Sequence, residues 1–403
     1  MNAKRSDART LEALVSEQRL RDAALPPFLR TRKLERMRRS PHAFLRGTAW
    51  LFYALVRERG SLRRLDRRTG VLCGDLHVEN FGAFRTNERI RGRSRIVFDV
   101  NDFDDATLGP QSLDVLRLTT SLLLATRNAT PEAYHRLDLA RRMLHAYDDA
   151  RASEATIPPP PRFVLQLLAR AKKRRGRQLV SERTERVGRD LRLVRGDRYA
   201  ELSPTHRRAA IEAFARYAER TLHPSGATGE ECSVIDVAYR VAGTGSLGAF
   251  RIAVLTRGRK TRTPWLFDMK EQMVTPNPSL LVPLPKTLEK VRPADRVFRA
   301  ETALLESLPA AVGTTDFEGR SMLVRRLSPQ EDKLNLEQVA PTDLGTLVPY
   351  LGAIVGRMHA RACHSGRPTR GRQGGAPEAL LEEAAVLAGM HETAHLLYAT
   401  EAR

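Results

Sequence analysis

The spacing of apolar residues changes along the chain, and it predicts where helices give way to strands. Up to residue 230 most apolar residues recur with a helical period. The predicted helices there are 8–22, 28–40, 43–56, 112–127, 131–152, 163–192 and 206–222. Beyond residue 231 the pattern alternates as in strands, around a glycine-rich centre and again at 265–274 and 321–329. Three further helices are predicted at 294–308, 341–362 and 377–399.

This order of elements predicts an α+β fold in which a small antiparallel sheet accompanies a larger helical part. The proline run TIPPPP at 156–161 marks a break, because consecutive prolines favour a stiff extended spacer. We therefore divide the chain into a helical segment 1–155, a basic helical bridge 156–230, a β-rich segment 231–335 and closing helices 336–403.

Two polar segments rich in carboxylates flank the strand-like run IVFDV. The first is GDLHVENFG at 74–82, and the second lies within FDVNDFDDATLGP at 98–110. Polar side chains at the ends of buried strands are a common setting for functional sites. The first segment offers Asp75, His77 and Asn80, and the second offers Asp99, Asn101, Asp102, Asp104 and Asp105. Magnesium prefers oxygen ligands and shares its remaining positions with phosphates and water, so the two segments together predict a Mg²⁺ site, with Asp104 among its ligands.

A glycine-rich string follows much later in the chain. Gly243, Gly245 and Gly248 form G-x-G-x-x-G, with Ser246 inside it. Glycines let backbone amides approach phosphate oxygens closely. A strand-like run follows instead of a helix, which favours the nucleotide-covering loop of kinases over a dinucleotide fold. A tight hairpin without a ligand is the alternative.

Lys270 and Glu301 add a second hint of nucleotide binding. Lys270 ends an alternating strand after the glycine-rich hairpin, a position from which a lysine can reach α- and β-phosphates. Glu301 lies one turn from Val297 and Leu305 and so faces inward, where a carboxylate needs a cationic partner. We expect Lys270 to be that partner, as in the pair that positions ATP in kinases. An ordinary surface lysine is the alternative.

Arg46 lies within SPHAFLRG at 40–47, whose Ser-Pro pair predicts a helix start. Its neighbours are apolar, so its guanidinium can pair with a site carboxylate or a bound phosphate. The alternative is an arginine at the edge of its helix.

The net charge of the chain says more about its binding partners than about its fold. The chain carries a formal charge of +21. Such a charge attracts anions, including nucleic acid, membrane headgroups and phosphorylated small molecules, unless it is spread evenly. No apolar run has the length of a membrane span. The absence of an apolar leader and the presence of only three cysteines predict a cytoplasmic location.

The spacings of the acidic segments resemble those of the aminoglycoside phosphotransferase and choline kinase branch of the protein-kinase-like fold. The catalytic loop there reads roughly HGDLHxxN and the metal segment DFxxxxxGxxxxDLA. The resemblance implies that Asp75 is the catalytic aspartate, that Asn80 and Asp102 bind Mg²⁺, and that Asp114 supports the catalytic loop. For His77 two roles stay open, a ligand or a residue that orients the backbone of the loop. One departure is Cys73, which stands where that family usually has histidine.

The order of these motifs differs from that of kinases. The glycine-rich loop, the lysine and the glutamate helix precede the catalytic loop in kinases, but here they follow it. A circular permutation accounts for this order, since chain termini of compact domains often lie close together. The implied fold is a two-lobed, permuted kinase-like fold with a small antiparallel β lobe and a larger helical lobe. Helix 341–362 would then lead into the catalytic loop.

The whole pattern also resembles a bacterial family, domain of unknown function 2252. That family carries SPxxFFRG, GDxHxxNFG, NDFDE, a GxGSxG segment and a later KE pair. This chain shows SPHAFLRG, GDLHVENFG, NDFDD, GTGSLG and Lys270-Glu271. The resemblance spans about residues 28–365.

These observations predict an ATP- and Mg²⁺-dependent phosphotransferase that acts on an unknown hydroxyl acceptor. Two alternatives stay open. One is a non-catalytic kinase-like protein whose basic surface binds nucleic acid or another polyanion. The other is a metal-dependent phosphoesterase that uses Asp75, His77, Asp102 and Asp104.

Overall fold

A computed structural model confirms the α+β class and shows all strand pairs to be antiparallel. It describes residues 2–63, 65, 68–90, 93–152, 157–174, 176–188, 190–241, 249–258, 264–273, 290–363 and 376–400. The predicted phosphate-binding residues Gly243, Gly245, Ser246 and Gly248 lie outside these ranges.

Helices form most of the described structure. Those of the first half are α1 (Asn2–Ala23), α2 (Pro27–Met37), α3 (Pro41–Gly47), α4 (Ala49–Arg59), α5 (Ser112–Ala125), α6 (Ala133–Ala152), α7 (Arg162–Lys173) and α8 (Gly176–Ser181). Those of the second half are α9 (Pro204–Tyr217), α10 (Gly229–Cys232), α11 (Pro293–Leu304), α12 (Pro341–Arg361) and α13 (Ala376–Thr400). None of these described helices has the length and apolar composition needed to cross a bilayer.

Two helix predictions need correction. The predicted helix 43–56 is broken at Thr48, whose backbone leaves the helical region and separates α3 from α4. The Ser-Pro start is as expected, because the Ser40 side chain accepts the Ala43 N–H at 3.1 Å. The predicted helix 163–192 is broken at Arg174, whose backbone is extended, so that α7 and the short α8 replace it and the helical part ends at residue 181. The chain then forms a hairpin that turns at Gly188, whose φ of 63° suits glycine.

The strands of the described residues form four antiparallel sheets. They are β1 (Thr69–Leu72), β2 (Phe81–Ile90), β3 (Arg93–Val100), β4 (Thr107–Pro110), β5 (Thr184–Val187), β6 (Asp190–Leu193), β7 (Tyr199–Ala200), β8 (Val234–Arg240), β9 (Arg251–Thr256), β10 (Trp265–Glu271), β11 (Gly313–Phe317), β12 (Arg320–Arg326) and β13 (Asp332–Lys333). The largest has the order β11-β12-β10-β9-β8-β7. The others pair β1 with β4, β13 with β2 and β3, and β5 with β6.

The apolar core holds both acidic segments in place. One continuous cluster joins α1, α3–α7 and α11–α13 to the strands beside the segments. Leu72 and Phe81 are fully buried at the two sides of the first segment, and Val100 and Phe103 bracket the start of the second. A separate cluster fills one face of the large sheet, where Phe214 and Tyr217 of α9 pack on Phe267. Because these buried apolar residues pack in the core, they hold the polar loops beside them in place.

Candidate functional site

The backbone of the first acidic segment is anchored at its start. The Asp114 carboxylate of α5 accepts the N–H of Cys73 at 2.7 Å and the N–H of Gly74 at 3.0 Å. His359 of α12 approaches the same carboxylate at 3.3 Å. Gly74 has a φ of 87°, and a side chain there would collide with the backbone of Asp105. The two acidic segments therefore touch at this glycine, and the Asp114 carboxylate holds the backbone at the start of the first segment.

His77 and Asn80 shape the remainder of that segment. The Asn80 Oδ1 atom accepts the His77 N–H at 2.6 Å, and the His77 Nδ1 atom accepts the Glu79 N–H at 3.3 Å. Burial, with the charge of Arg46 nearby, lowers the pKa of His77 well below its usual value. The imidazole ring is thus neutral, and its Nδ1 atom is suited to accept a hydrogen bond. Arg46 forms an ion pair with Glu79 at 2.5 Å, so its partner is a carboxylate of this segment.

Asp75 projects from the same segment toward a buried arginine. Arg117 of α5 is fully buried and donates to the Asp75 carboxylate from Nε at 2.5 Å, and it also donates to the Leu45 carbonyl at 3.1 Å. Burial raises the pKa of Asp75 against the pull of Arg117, and the Asp102 carboxylate adds to the rise. The sequence reading missed Arg117. The sequence feature that could have identified Arg117 is a charged residue within the broad apolar face of a predicted helix.

The second acidic segment meets the large sheet through Asp104. The Lys270 ammonium of β10 pairs with the Asp104 carboxylate, which also accepts from Gln272 at 3.1 Å. Arg296 of α11 donates to the Asp104 carbonyl at 3.0 Å and to the Ala106 carbonyl. Three side chains thereby join segments that are 166, 168 and 192 residues apart in sequence.

The expected pair between Lys270 and Glu301 does not form. Glu301 is fully buried, as its inward position predicted, but its partner is Arg325 of β12. In the sheet register Asp268 faces Arg325 and Lys270 faces Leu323, so Arg325 and Lys270 share one face. Arg325 reaches Glu301, and Lys270 reaches Asp104 instead. Burial lowers the pKa of Lys270 to about 8, although Asp102 opposes the shift.

Asp102 differs from its neighbours because it has no hydrogen bond or ion pair with any residue in the described ranges. Burial acts to raise the pKa of Asp102, but the charges of Lys270, Lys333 and Arg325 outweigh it and keep the pKa below its usual value. A charged carboxylate without a partner suits a cation ligand. Lys333 of β13 was not predicted, since only the pairing of β13 with β2 brings it here.

A single cavity of about 540 Å³ collects most of the predicted residues. Its lining includes Arg46, Asp75, His77, Asn80, Asp102, Asp104 and Lys270. Asp114 and Glu301 are fully buried and do not line the cavity. Within the described part of the chain, no three His, Cys, Asp or Glu side chains are grouped so as to hold a metal ion by themselves. A metal here would thus need ligands from water or substrate as well.

Comparison with known families gives one match. The model of a family described as "Uncharacterized protein conserved in bacteria (DUF2252)" matches residues 25–400. No curated protein and no solved structure matches the chain.

Proposed function

The chain belongs to the bacterial DUF2252 family, and from the geometry of its cavity we propose that it is an ATP- and Mg²⁺-dependent phosphotransferase that acts on a hydroxyl acceptor. The observation that carries the proposal is the contact of Lys270 with the second acidic segment. One cavity is lined by Lys270, a cation that can bind phosphates, and by carboxylates that can bind a metal ion. Phosphoryl transfer depends mainly on such positioning and charge neutralisation.

The order of elements around Lys270 supports a kinase-like assignment. Strand β8 precedes the glycine-rich string at 243–248, β9 follows it, and β10 carries Lys270. Helix α11 comes next and carries the buried Glu301. This is the sequence of parts that covers and grips ATP phosphates in protein kinases. Because Arg325 holds Glu301, we assign that glutamate to positioning the sheet rather than to the lysine.

Contacts at the end of α12 support the circular permutation. The Val71 N–H donates to the Ala362 carbonyl at 3.2 Å, and Gly70 forms an isolated β-bridge with Cys363. The end of α12 thus lies beside β1, the strand that leads into Gly74. In a permuted kinase-like fold this is where the helix before the catalytic loop would join it.

The residues present fit a magnesium ion. Asp102 is a charged carboxylate without a partner among the described residues, and the Asn80 oxygen keeps a second lone pair beyond the one that accepts the His77 N–H. The Asp104 carboxylate can supply a further oxygen ligand once the Lys270 ammonium pairs with a bound phosphate instead. When bound, Mg²⁺ would neutralise phosphate oxygens. Asp75, oriented by Arg117, would accept the proton of the acceptor hydroxyl.

Mg·ATP is expected to raise the melting temperature of the wild-type protein, and Asp102→Ala is expected to abolish the rise. At a hundredfold excess over Kd, ligand binding stabilises by about 2.7 kcal/mol. Removing magnesium with EDTA should have the same effect as the substitution. The matched control is Asp197→Ala, at an exposed turn residue, which should keep the full shift. An unshifted wild type, or a shift that survives Asp102→Ala, would count against the proposal.

A further inference from the structure

The cavity has a second wall that the proposed chemistry does not use. Helices α1–α4 form it, and its polar residues include Gln18, Arg21, Lys33, Arg36, Arg46 and Trp50. Four of these side chains are cationic, and among the described lining residues of these helices only Asp22 is acidic. The acidic segments line the other side of the same cavity.

Asp22 neutralises only one cation of this wall. Its carboxylate accepts from Lys33 at 2.6 Å, from the Tyr398 hydroxyl at 2.6 Å and from Gln18 at 3.2 Å. Three donors occupy most of the lone pairs of that carboxylate. Lys33 is therefore balanced. Arg21 and Arg46 each form an ion pair with a glutamate, at 3.1 Å and 2.5 Å, so the excess positive charge of the wall remains on Arg36.

Arg36 carries the least compensated of these charges. Its guanidinium has no hydrogen bond or ion pair with any residue that the structure describes. Burial lowers the pKa of Arg36, and the positive charges of Arg32, Arg39 and Arg46 lower it further. An arginine that has no carboxylate partner is a common recognition element for phosphate and carboxylate groups.

Two buried donors without partners among the described residues belong to side chains that line the same cavity as Arg36. Within the part of the chain that the structure describes, the indole N–H of Trp50, a residue that is 7% exposed, has no hydrogen-bond partner, and neither does the buried Nε of Arg46. The Arg21 guanidinium lies 4.2 Å from the Trp50 ring centroid. Buried donors are nearly always satisfied in folded proteins, so two orphans in a cavity wall point to a ligand that accepts hydrogen bonds.

From this wall we propose that the acceptor is a small hydroxylated anion, whose phosphate or carboxylate group is bound by Arg36, Arg46 and the Trp50 N–H. This inference rests on the proposed phosphotransferase function and names its substrate class. Arg46 belongs to α3, and its neighbour Leu45 accepts a hydrogen bond from Arg117, the partner of Asp75. The anion-binding wall and the catalytic carboxylate are thus linked through one short helix. A cationic acceptor would meet repulsion here.

Tryptophan fluorescence tests the inference without ATP. The chain has two tryptophans, so Trp265→Phe leaves Trp50 as the only reporter. We expect a saturable change with at least one of inorganic phosphate, glucose 6-phosphate and gluconate. Glucose and glucosamine, which are neutral and cationic, should give none. The first two probes carry phosphate and gluconate carries carboxylate, so they distinguish the two kinds of group. Calorimetry on the wild type repeats the titration with both tryptophans in place.

Two arginine variants make the test specific. Arg36→Gln should weaken anion binding at least tenfold and leave Mg·ATP stabilisation intact. Arg32→Gln removes an exposed charge from the same helix and should change little. Equal weakening by both variants, binding of glucose as tight as that of the anions, or no anion binding would overturn the inference. Anion binding by a protein that Mg·ATP does not stabilise would leave the anion site standing and refute the phosphotransferase.

Discussion

Asp75→Asn should slow the Mg·ATP-dependent release of phosphate to water by ~100-fold or more while leaving the affinity for Mg·ATP within a few-fold of wild type. General-base catalysis contributes about 10²- to 10⁴-fold, and asparagine cannot accept the proton. Nucleotide affinity should survive, because Asp75 pairs with Arg117 and does not hold Lys270. Single-turnover release of labelled phosphate gives the rate, and calorimetry gives the affinity.

Folding must be checked in the same variant. Arg117 is fully buried, and a buried charge that loses its partner is costly. Asparagine keeps an oxygen that can accept from the guanidinium, so the melting temperature should fall only slightly. Asp197→Asn, at an exposed turn, serves as the matched control and should retain the wild-type rate. If Asp75→Asn is well folded and releases phosphate at the wild-type rate, Asp75 is not the base.

Asp114→Ala should lower the free energy of unfolding by about 2–6 kcal/mol, since it leaves the buried N–H groups of Cys73 and Gly74 without an acceptor at about 1–3 kcal/mol each. Asp114→Asn keeps one oxygen and should lose less. Urea denaturation measures both changes. The control is Asp138→Ala on α6, which breaks a surface ion pair with Arg142 of 2.7 Å and should cost at most about 1 kcal/mol. A loss for Asp114→Ala no larger than that of the control would show that the loop is held by other contacts.

Local pattern predicted the parts of the site that one segment encodes. Asp75, His77, Asn80, Asp102 and Asp104 come from two short runs at strand ends, and all five line the cavity. The inward position of Glu301 also followed from helix periodicity. These inferences use only local sequence, that is, the type and spacing of the residues that neighbour each position along the chain.

The sequence pattern could not predict in the same way which side chains form ion pairs with each other. Whether Glu301 meets Lys270 or Arg325 depends on the register of β10 against β12, which periodicity does not contain. Lys333 enters the cavity only because β13 pairs with β2. Tertiary contacts decided these two outcomes. The helix predicted through residue 192 was wrong for local reasons, because the backbone is extended at Arg174 and the chain turns again at Gly188.

A double-mutant cycle on Mg·ATP affinity tests most directly whether Asp102 and Lys270 hold the same bound nucleotide. Calorimetry would give Kd for wild type, Asp102→Ala, Lys270→Met and the double variant, with the exposed Lys290→Met as the control partner. We predict that the loss in the double variant differs from the sum of the single losses by more than about 0.5 kcal/mol, whereas Asp102→Ala and Lys290→Met are additive. Additive losses for Asp102 and Lys270, or no Mg·ATP binding by the wild type, would contradict a shared nucleotide site.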